Sequence, residues 1–217
     1  MSKDRRRRHA AKEDAVAIGE RAGKSNCPVI VVGIGTSAGG SKSLRQFFAR
    51  MPSGHGVAFV VIQHPEPSRQ NPTVRLLKEQ TALAVVEATD GMPVLADRIH
   101  VMPPDRFLNI TGSRLTLQEP VSCDGLRMPI DHFFCSLAFD QRRRGCGILL
   151  SGTGGDGTLG LSEIKAGGGR TFVEDPGKAE IPGTPLSAID AGVVDAVLPA
   201  EAMVEAVAAY RGFHRKR

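Results

Sequence analysis

Three polar residues of the chain have the types needed for a nucleophile, a base and an acid. Ser37, His64 and Asp156 each follow the end of an apolar run typical of a buried strand. A serine hydroxyl is a weak nucleophile at neutral pH and needs a base to take its proton. Histidine suits that task because its unperturbed pKa is about 6.5, and a buried carboxylate can hold the imidazole in the useful tautomer. The three residues predict acyl-transfer chemistry.

The segment around the serine has three interpretations. Residues 35–39 read G-T-S-A-G and fit the G-x-S-x-G spacing of a nucleophile elbow. Together with Gly33 they also fit the looser dinucleotide fingerprint G-x-G-x-x-G/A. That fingerprint needs an acidic residue about twenty positions further on, but the next strand ends in Gln63-His64. A serine that only caps the following helix is the third interpretation, and this segment alone leaves all three open.

The loop at residues 152–157 reads G-T-G-G-D-G and places Asp156 among four glycines. A glycine-rich loop can cradle a phosphate, but a carboxylate in its middle would repel the anion unless a metal intervened. No lysine follows, as it would in G-x-x-x-x-G-K-[ST]. The loop is therefore predicted to carry a carboxylate for another purpose.

The elements that must position these residues alternate between strand and helix. Helical patterns separate the apolar runs, so we expect right-handed βαβ units and a doubly wound α/β fold, with a mostly parallel sheet flanked by helices. Residues 107–117 predict a β-hairpin around a turn at 111–114. Ligands of such sheets bind beyond the carboxyl ends of the strands, where all three candidate residues fall. The predicted strands are 29–34, 57–62, 85–86, 99–102, 146–150, 171–173 and 193–198.

Length and composition agree with one globular domain. The chain has 217 residues, of which 41% are hydrophobic, enough for a full α/β core. No apolar run approaches the roughly eighteen residues of a membrane span, and no signal-peptide pattern follows the basic N-terminus. The four cysteines show no C-x-x-C spacing, which indicates a reducing, cytoplasmic setting.

Positive charge is concentrated at the two ends. The net charge is +5, yet residues 1–28 carry eight Lys/Arg against four Asp/Glu, and residues 211–217 carry four more Lys/Arg. The remainder is net negative, so the fold itself is not expected to bind nucleic acid. We therefore expect a basic, flexible tail at 1–27, a domain at 28–210 and a basic C-terminal tail at 211–217. The tails are either simply solvated or contact an anionic membrane surface or acidic partner.

The order of the three residues is Ser, His, Asp, whereas α/β-hydrolases run Ser, Asp/Glu, His. With this order, three motifs resemble the chemotaxis protein-glutamate methylesterases in their C-terminal catalytic domain. The motifs are V-G-I-G-T-S-A-G-G at 32–40, V-I-Q-H at 61–64 and I-L-L-S-G-T-G-G-D-G at 148–157. The resemblance covers residues 28 to 210 and implies that this segment is the methylesterase catalytic domain.

The resemblance also implies roles. Ser37 would be the nucleophile, His64 the general base and Asp156 the residue that orients it. The family removes methyl groups from glutamate esters on chemoreceptors, releasing methanol, and deamidates certain receptor glutamines. No metal or organic cofactor is expected. The oxyanion would lie near Ala38 and Thr153, where many relatives carry threonine and methionine respectively.

Family members often carry a phosphoacceptor receiver domain before the catalytic domain. The 27 residues that precede the predicted domain are too few for one, so control by phosphorylation is expected to be absent or to come from a separate receiver protein. The S-A-G-G and S-G-T-G forms of the motifs look most like members joined to a receptor methyltransferase, which suggests such a partner. Two rival functions remain from the residues themselves: a nucleotide-binding reductase-type protein and a catalytically silent regulatory module.

Overall fold

The computed structural model describes residues 29–64, 71–120 and 126–215. The predicted tail at 1–27 lies outside these ranges. The helices and strands, in chain order, are β1 (Ile30–Thr36), α1 (Gly40–Ala49), β2 (Val57–Gln63), α2 (Pro72–Gln80), β3 (Ala84–Glu87), β4 (Met92–Pro93), β5 (Arg98–Val101), β6 (Phe107–Thr111), β7 (Arg114–Gln118), α3 (Pro129–Gln141), β8 (Gly145–Leu149), α4 (Thr158–Ala166), β9 (Arg170–Glu174), α5 (Gly183–Asp190), β10 (Ala196–Leu198) and α6 (Met203–Arg215).

The main sheet has seven strands in the order β10-β9-β8-β1-β2-β5-β3. Every neighbouring pair in it is parallel, which confirms the predicted mostly parallel sheet. The chain first winds from β1 towards β2 and later returns on the other side through β8. The central strand β1 therefore has β2 and β8 as its direct neighbours, and strand order reverses beside it.

Helices cover both faces of this sheet, as expected for a doubly wound fold. On one face α1 contributes Leu44, Phe47 and Phe48. Together with residues of α2 and α6, they pack against the buried side chains that β1 and β2 direct towards this face. On the other face α3 contributes Phe133 and Phe134, which pack with α4, α5 and the hairpin. A fully buried side chain of this size is worth roughly 1.5–3 kcal/mol, so the two layers fix the sheet rigidly.

The predicted β-hairpin is confirmed as β6 and β7, which pair antiparallel from Phe107 opposite Gln118 to Thr111 opposite Arg114. The short strand β4, which the sequence did not indicate, extends it to a three-stranded sheet in the order β4-β7-β6. The hairpin packs against α3 through Leu108 and Ile110. It therefore supports the helix whose N-terminus lies at the candidate site.

The C-terminal part of the chain differs from the sequence prediction at one strand. The last helix continues to Arg215, past residue 210, and no proline interrupts 203–215. The strand predicted at 193–198 forms only at Ala196–Leu198, because the preceding residues cross from α5 to the sheet edge. No helix within the described ranges is both long and apolar enough to cross a membrane.

Candidate active site

Ser37 lies immediately after β1, in the short turn that leads into α1. Its backbone N–H donates to Ser151 O at 3.2 Å, and its carbonyl accepts from Gly40 N at 3.1 Å. A Cβ at Gly40 would lie 1.5 Å from the Thr36 hydroxyl oxygen, so only glycine permits α1 to begin this close to the strand end. The turn therefore holds the serine at the carboxyl edge of the sheet, partly exposed.

His64 lies beside the serine because β1 and β2 are paired in register. Thr36 is opposite Gln63, and His64 N continues the ladder by donating to Thr36 O at 3.2 Å. Adjacent strands are about 4.8 Å apart, so Ser37 and His64 are near neighbours. The His64 side chain is 32% exposed and remains accessible to a substrate at this edge.

Asp156 comes from the loop after β8, on the other side of β1. Its Oδ2 lies 2.7 Å from His64 Nε2 and accepts from Ile130 N at 3.0 Å. Its Oδ1 accepts from Asp131 N at 2.9 Å. These two N–H groups belong to the first turn of α3, where the helix dipole favours negative charge. The buried carboxylate is thereby held in place and its charge stabilised.

The contact with Asp156 determines which imidazole nitrogen can act as a base. A carboxylate only accepts hydrogen bonds, so Nε2 of His64 must carry the proton. Nδ1 of the neutral ring then has the free lone pair that can take a proton from a nearby hydroxyl. Among the described residues no hydrogen bond yet joins Ser37 Oγ to His64; such bonds are often long without substrate and tighten in the complex.

The loop that carries Thr153 passes close to the serine. A Cβ at Gly152 would lie 2.9 Å from Ser37 Cβ, and Gly152 N is fixed by Ile181 O at 2.9 Å. Within the described ranges, the backbone N–H groups of Ala38 and Thr153 donate to no other backbone group. Both residues are exposed. Their N–H groups are therefore available to a negatively charged oxygen formed beside Ser37.

The glycines of the alternative dinucleotide fingerprint serve packing. Gly33 and Gly35 lie inside β1 rather than in the turn after it. A Cβ at Gly33 would lie 2.8 Å from the ring of Phe134, and one at Gly35 would lie 2.4 Å from Ile130 Cγ2. Both glycines let α3 approach the sheet closely. They do not line a loop that could approach a pyrophosphate, which disfavours the nucleotide-binding alternative.

Asp131 is a further carboxylate at the site, which the sequence motifs do not single out. It lies in the first turn of α3, is 8% exposed, and accepts from Gly160 N at 2.7 Å. Burial raises the pKa of its carboxyl group to about 6; the hydrogen bond from Gly160 opposes this shift and the charge of Asp156 adds to it. Asp131 is therefore mostly ionised at neutral pH, next to the carboxylate that contacts His64.

Glu174 is a second overlooked carboxylate beneath the site. It ends β9, is 1% exposed, and accepts from Ser43 Oγ at 2.9 Å and from Ser151 N at 2.8 Å. Since Ser43 belongs to α1 and the Ser151 carbonyl accepts from Ser37 N, Glu174 links both segments that flank the serine. Glu174 could have been recognised from the sequence as a polar residue directly after the predicted strand 171–173.

Replacement of Glu174 by glutamine is expected to stabilise the fold at neutral pH. Burial raises the pKa of Glu174, against the hydrogen bonds from Ser43 and Ser151 that lower it. A raised carboxyl pKa contributes stability below the unfolded-state pKa, and this is lost as pH rises through the folded-state pKa. Glutamine has no such loss, since its oxygen can accept from Ser151 N–H while its amide donates to Ser43 Oγ.

The Glu174→Gln variant should therefore have the higher Tm at neutral pH. Thermal unfolding between pH 4 and pH 8 measures it. The difference in Tm between variant and wild type should be smallest at pH 4 and grow as pH rises. A difference that is the same at every pH would contradict the assignment of a buried, costly charge to Glu174.

The other histidines and cysteines of the described residues take part in packing. His100 is fully buried in β5, with Nδ1 3.2 Å from Phe59 O. Cys146 is a buried free thiol, as predicted, and burial raises its pKa. In the described parts of the chain, no group of three or more His, Cys, Asp or Glu side chains is arranged to hold a metal ion.

Comparisons with a family model and with individual known proteins all match this chain to the same family. The model described as CheB methylesterase matches residues 32–207. The chain is 32% identical over 184 residues to a protein-glutamate methylesterase/protein-glutamine glutaminase of Moorella thermoacetica, covering 82% of this chain and 43% of that protein. It is 32% identical over 182 residues to the protein of the same name from Pyrococcus abyssi, covering 82% and 50% respectively.

The fold has a solved counterpart. The crystal structure of the Thermotoga maritima CheB methylesterase catalytic domain superposes with a TM-score of 0.78 at 28% identity, covering 84% of this chain and 98% of that domain. The chain spans about half the length of the curated relatives it matches. Sequence, fold and the placement of the three motifs at one edge of the sheet agree, and the chain belongs to the CheB methylesterase family.

Proposed function

We propose that the chain is a serine hydrolase that removes methyl groups from glutamate methyl esters on chemoreceptor proteins, with residues 28–210 as its catalytic domain. The observation that carries the proposal is the arrangement of Ser37, His64 and Asp156 after three adjacent central strands, with His64 Nε2 2.7 Å from Asp156 Oδ2. The names of the relatives, protein-glutamate methylesterase/protein-glutamine glutaminase, support this substrate class.

The proposed reaction begins with attack of Ser37 Oγ on the ester carbonyl carbon, while Nδ1 of His64 takes the hydroxyl proton. The carbonyl oxygen becomes an oxyanion, held by the N–H groups of Ala38 and Thr153. Asp156 stabilises the imidazolium and keeps its proton-bearing Nε2 directed away from the substrate. The C–O bond to the methoxy group then breaks, and the proton on Nδ1 passes to it, giving methanol and a glutamyl ester of Ser37.

Hydrolysis of that ester completes the cycle. Water attacks the acyl carbon and gives one proton to His64 Nδ1, which passes it to Ser37 Oγ as the bond between Oγ and the acyl carbon breaks. The released glutamic acid then loses the second water proton to solvent. A primary amide in place of the ester would release ammonia by the same steps, so we propose deamidation of receptor glutamines as a second activity. Direct attack by water activated by His64 is the alternative, in which Ser37 is never acylated.

The proposed substrate implies a cytoplasmic location, with which the free thiols Cys135 and Cys146 are compatible. A receptor methyltransferase and a separate receiver protein are proposed as further partners. The basic residues at 1–28 and 211–217 are proposed to contact anionic lipids, each Lys or Arg near the surface contributing about 1 kcal/mol.

The function is tested by measuring methanol released from membranes that contain methylated chemoreceptors, with and without the purified chain. Methanol release that depends on the chain supports the proposal. Absence of release, together with quenching of NADH or NADPH fluorescence on titration, would instead favour the nucleotide-binding alternative. Absence of both would favour a silent regulatory module.

A further inference from the structure

Helices α3 and α4 begin side by side, and each receives its N-terminal cap from the segment of the other. α3 has Met128 at its N-cap position and α4 has Gly157, and neither residue makes a side-chain capping bond. Asp156, just before α4, accepts from the first-turn N–H groups of α3. Asp131, in the first turn of α3, accepts from Gly160 N of α4 at 2.7 Å.

This exchange satisfies backbone donors that a helix start leaves unpaired. The backbone N–H groups of Gly157 and Leu159 also act to lower the pKa of Asp131. Close approach of the two helices is possible because a Cβ at Gly160 would lie 2.3 Å from Phe134 Cβ. Asp131 thus takes the place of the side-chain cap that α4 lacks.

The position of Asp156 depends on that cap. Asp156 is followed directly by Gly157, whose φ of 97° is a left-handed conformation, and preceded by two glycines. Such a segment has wide backbone freedom and needs external contacts to hold one conformation. Asp131 contacts the chain both before and after Gly157. Its N–H donates to the Asp156 carboxylate, and its own carboxylate accepts from Gly160 N in the first turn of α4.

We propose that Asp131 is a positioning residue of the active site, which holds Asp156 in the orientation that fixes the His64 tautomer. The expected effect on kcat rests on the proposed function, whereas the expected effect on the contact between Asp156 and His64 does not. Among the described residues, the titratable groups that interact with Asp131 are Asp156 before α4 and Cys135 on its own helix. Neither of them is a cation, so backbone N–H groups compensate its charge.

The test compares two substitutions of Asp131 with a matched control on the same helix. Asp131→Ala removes the acceptor, whereas Asp131→Asn keeps an oxygen that can accept from Gly160 N–H. The control is Asp140→Ala, because Asp140 also accepts backbone N–H bonds, from Gly112 at 2.6 Å and Ser113 at 3.1 Å, but in the hairpin turn. The readouts are kcat and KM on a glutamyl methyl ester and the proton NMR resonance of His64 Nε2–H, assigned by its loss in His64→Gln.

We expect Asp131→Ala to lower kcat about 10- to 100-fold with KM little changed, since displacement of a catalytic group by 1 Å can cost about 100-fold. Its Nε2–H resonance should move or broaden. Asp131→Asn should recover kcat to within about fivefold of wild type, because the cap survives without its charge. Asp140→Ala should keep the wild-type kcat and resonance.

A folded Asp131→Ala variant with wild-type kcat and an unmoved resonance would overturn the inference, as would equal losses in Asp140→Ala. If Asp131→Ala fails to fold, Asp131→Asn decides: it should keep kcat within about fivefold of wild type because the cap survives, and a loss of kcat of more than tenfold in this folded variant overturns the inference. If the wild type releases no methanol, the proposed function fails, while the resonance still tests the role of Asp131.

Discussion

Substitution of Ser37 by alanine is expected to abolish nearly all ester hydrolysis. Loss of a serine nucleophile in a triad lowers kcat by on the order of 10⁴ to 10⁶, because no other hydroxyl occupies the turn between β1 and α1 beside His64. The measurement is methanol release under single-turnover conditions. KM should change little, since the hydroxyl contributes mainly in the transition state.

Ser41 offers a matched control for this substitution. It lies in the first turn of α1, four residues after Ser37, and is exposed. Ser41→Ala should keep wild-type activity, and circular dichroism of both variants should match the wild type. Full activity in a folded Ser37→Ala variant would exclude the acyl-enzyme route.

The second large effect is expected for Asp156→Asn, with a loss of about 10⁴ in kcat. Asparagine keeps the size of the side chain but carries an amide that donates hydrogen bonds. The N–H groups of Ile130 and Asp131 require acceptors, so the amide oxygen would face them and the amide nitrogen would face His64. The His64 ring would then carry its proton on Nδ1, the nitrogen that must be unprotonated to accept the proton of Ser37.

Steady-state rates and a structure of the Asp156→Asn variant test this expectation. Asp140→Asn is the control, since it changes an aspartate that also accepts backbone N–H bonds far from His64. A variant that keeps more than a tenth of the wild-type kcat, with the ring unchanged, would show that Asp156 does not set the tautomer.

The strands of the main sheet could be predicted because their sequences are short, apolar runs bounded by glycine and proline. The hairpin was equally clear from the turn at 111–114. The strand Met92–Pro93 could not be predicted, since it has two residues and forms only because β7 presents an edge to it. Helix α3 begins at Pro129, a residue well suited to the first helical position.

The candidate site was accessible to sequence reasoning only in part. Ser37, His64 and Asp156 could be selected because each follows a buried strand and parallel strands end at one edge of a sheet. The His64 tautomer could not be predicted, since it depends on which ring nitrogen faces Asp156. The link between Asp131 and the start of α4 was also inaccessible, because it joins side chain and backbone 29 residues apart in the chain.

The central claim is that Ser37, activated by His64, cleaves the ester. The most direct test treats the purified chain with a serine-directed fluorophosphonate and follows intact-protein mass and residual methanol release together, with the modified residue mapped by peptide mass spectrometry. We predict a single adduct, on Ser37, whose formation parallels the loss of activity, and no adduct in His64→Gln. Modification at another residue, or methanol release that persists in fully labelled protein, would contradict the account.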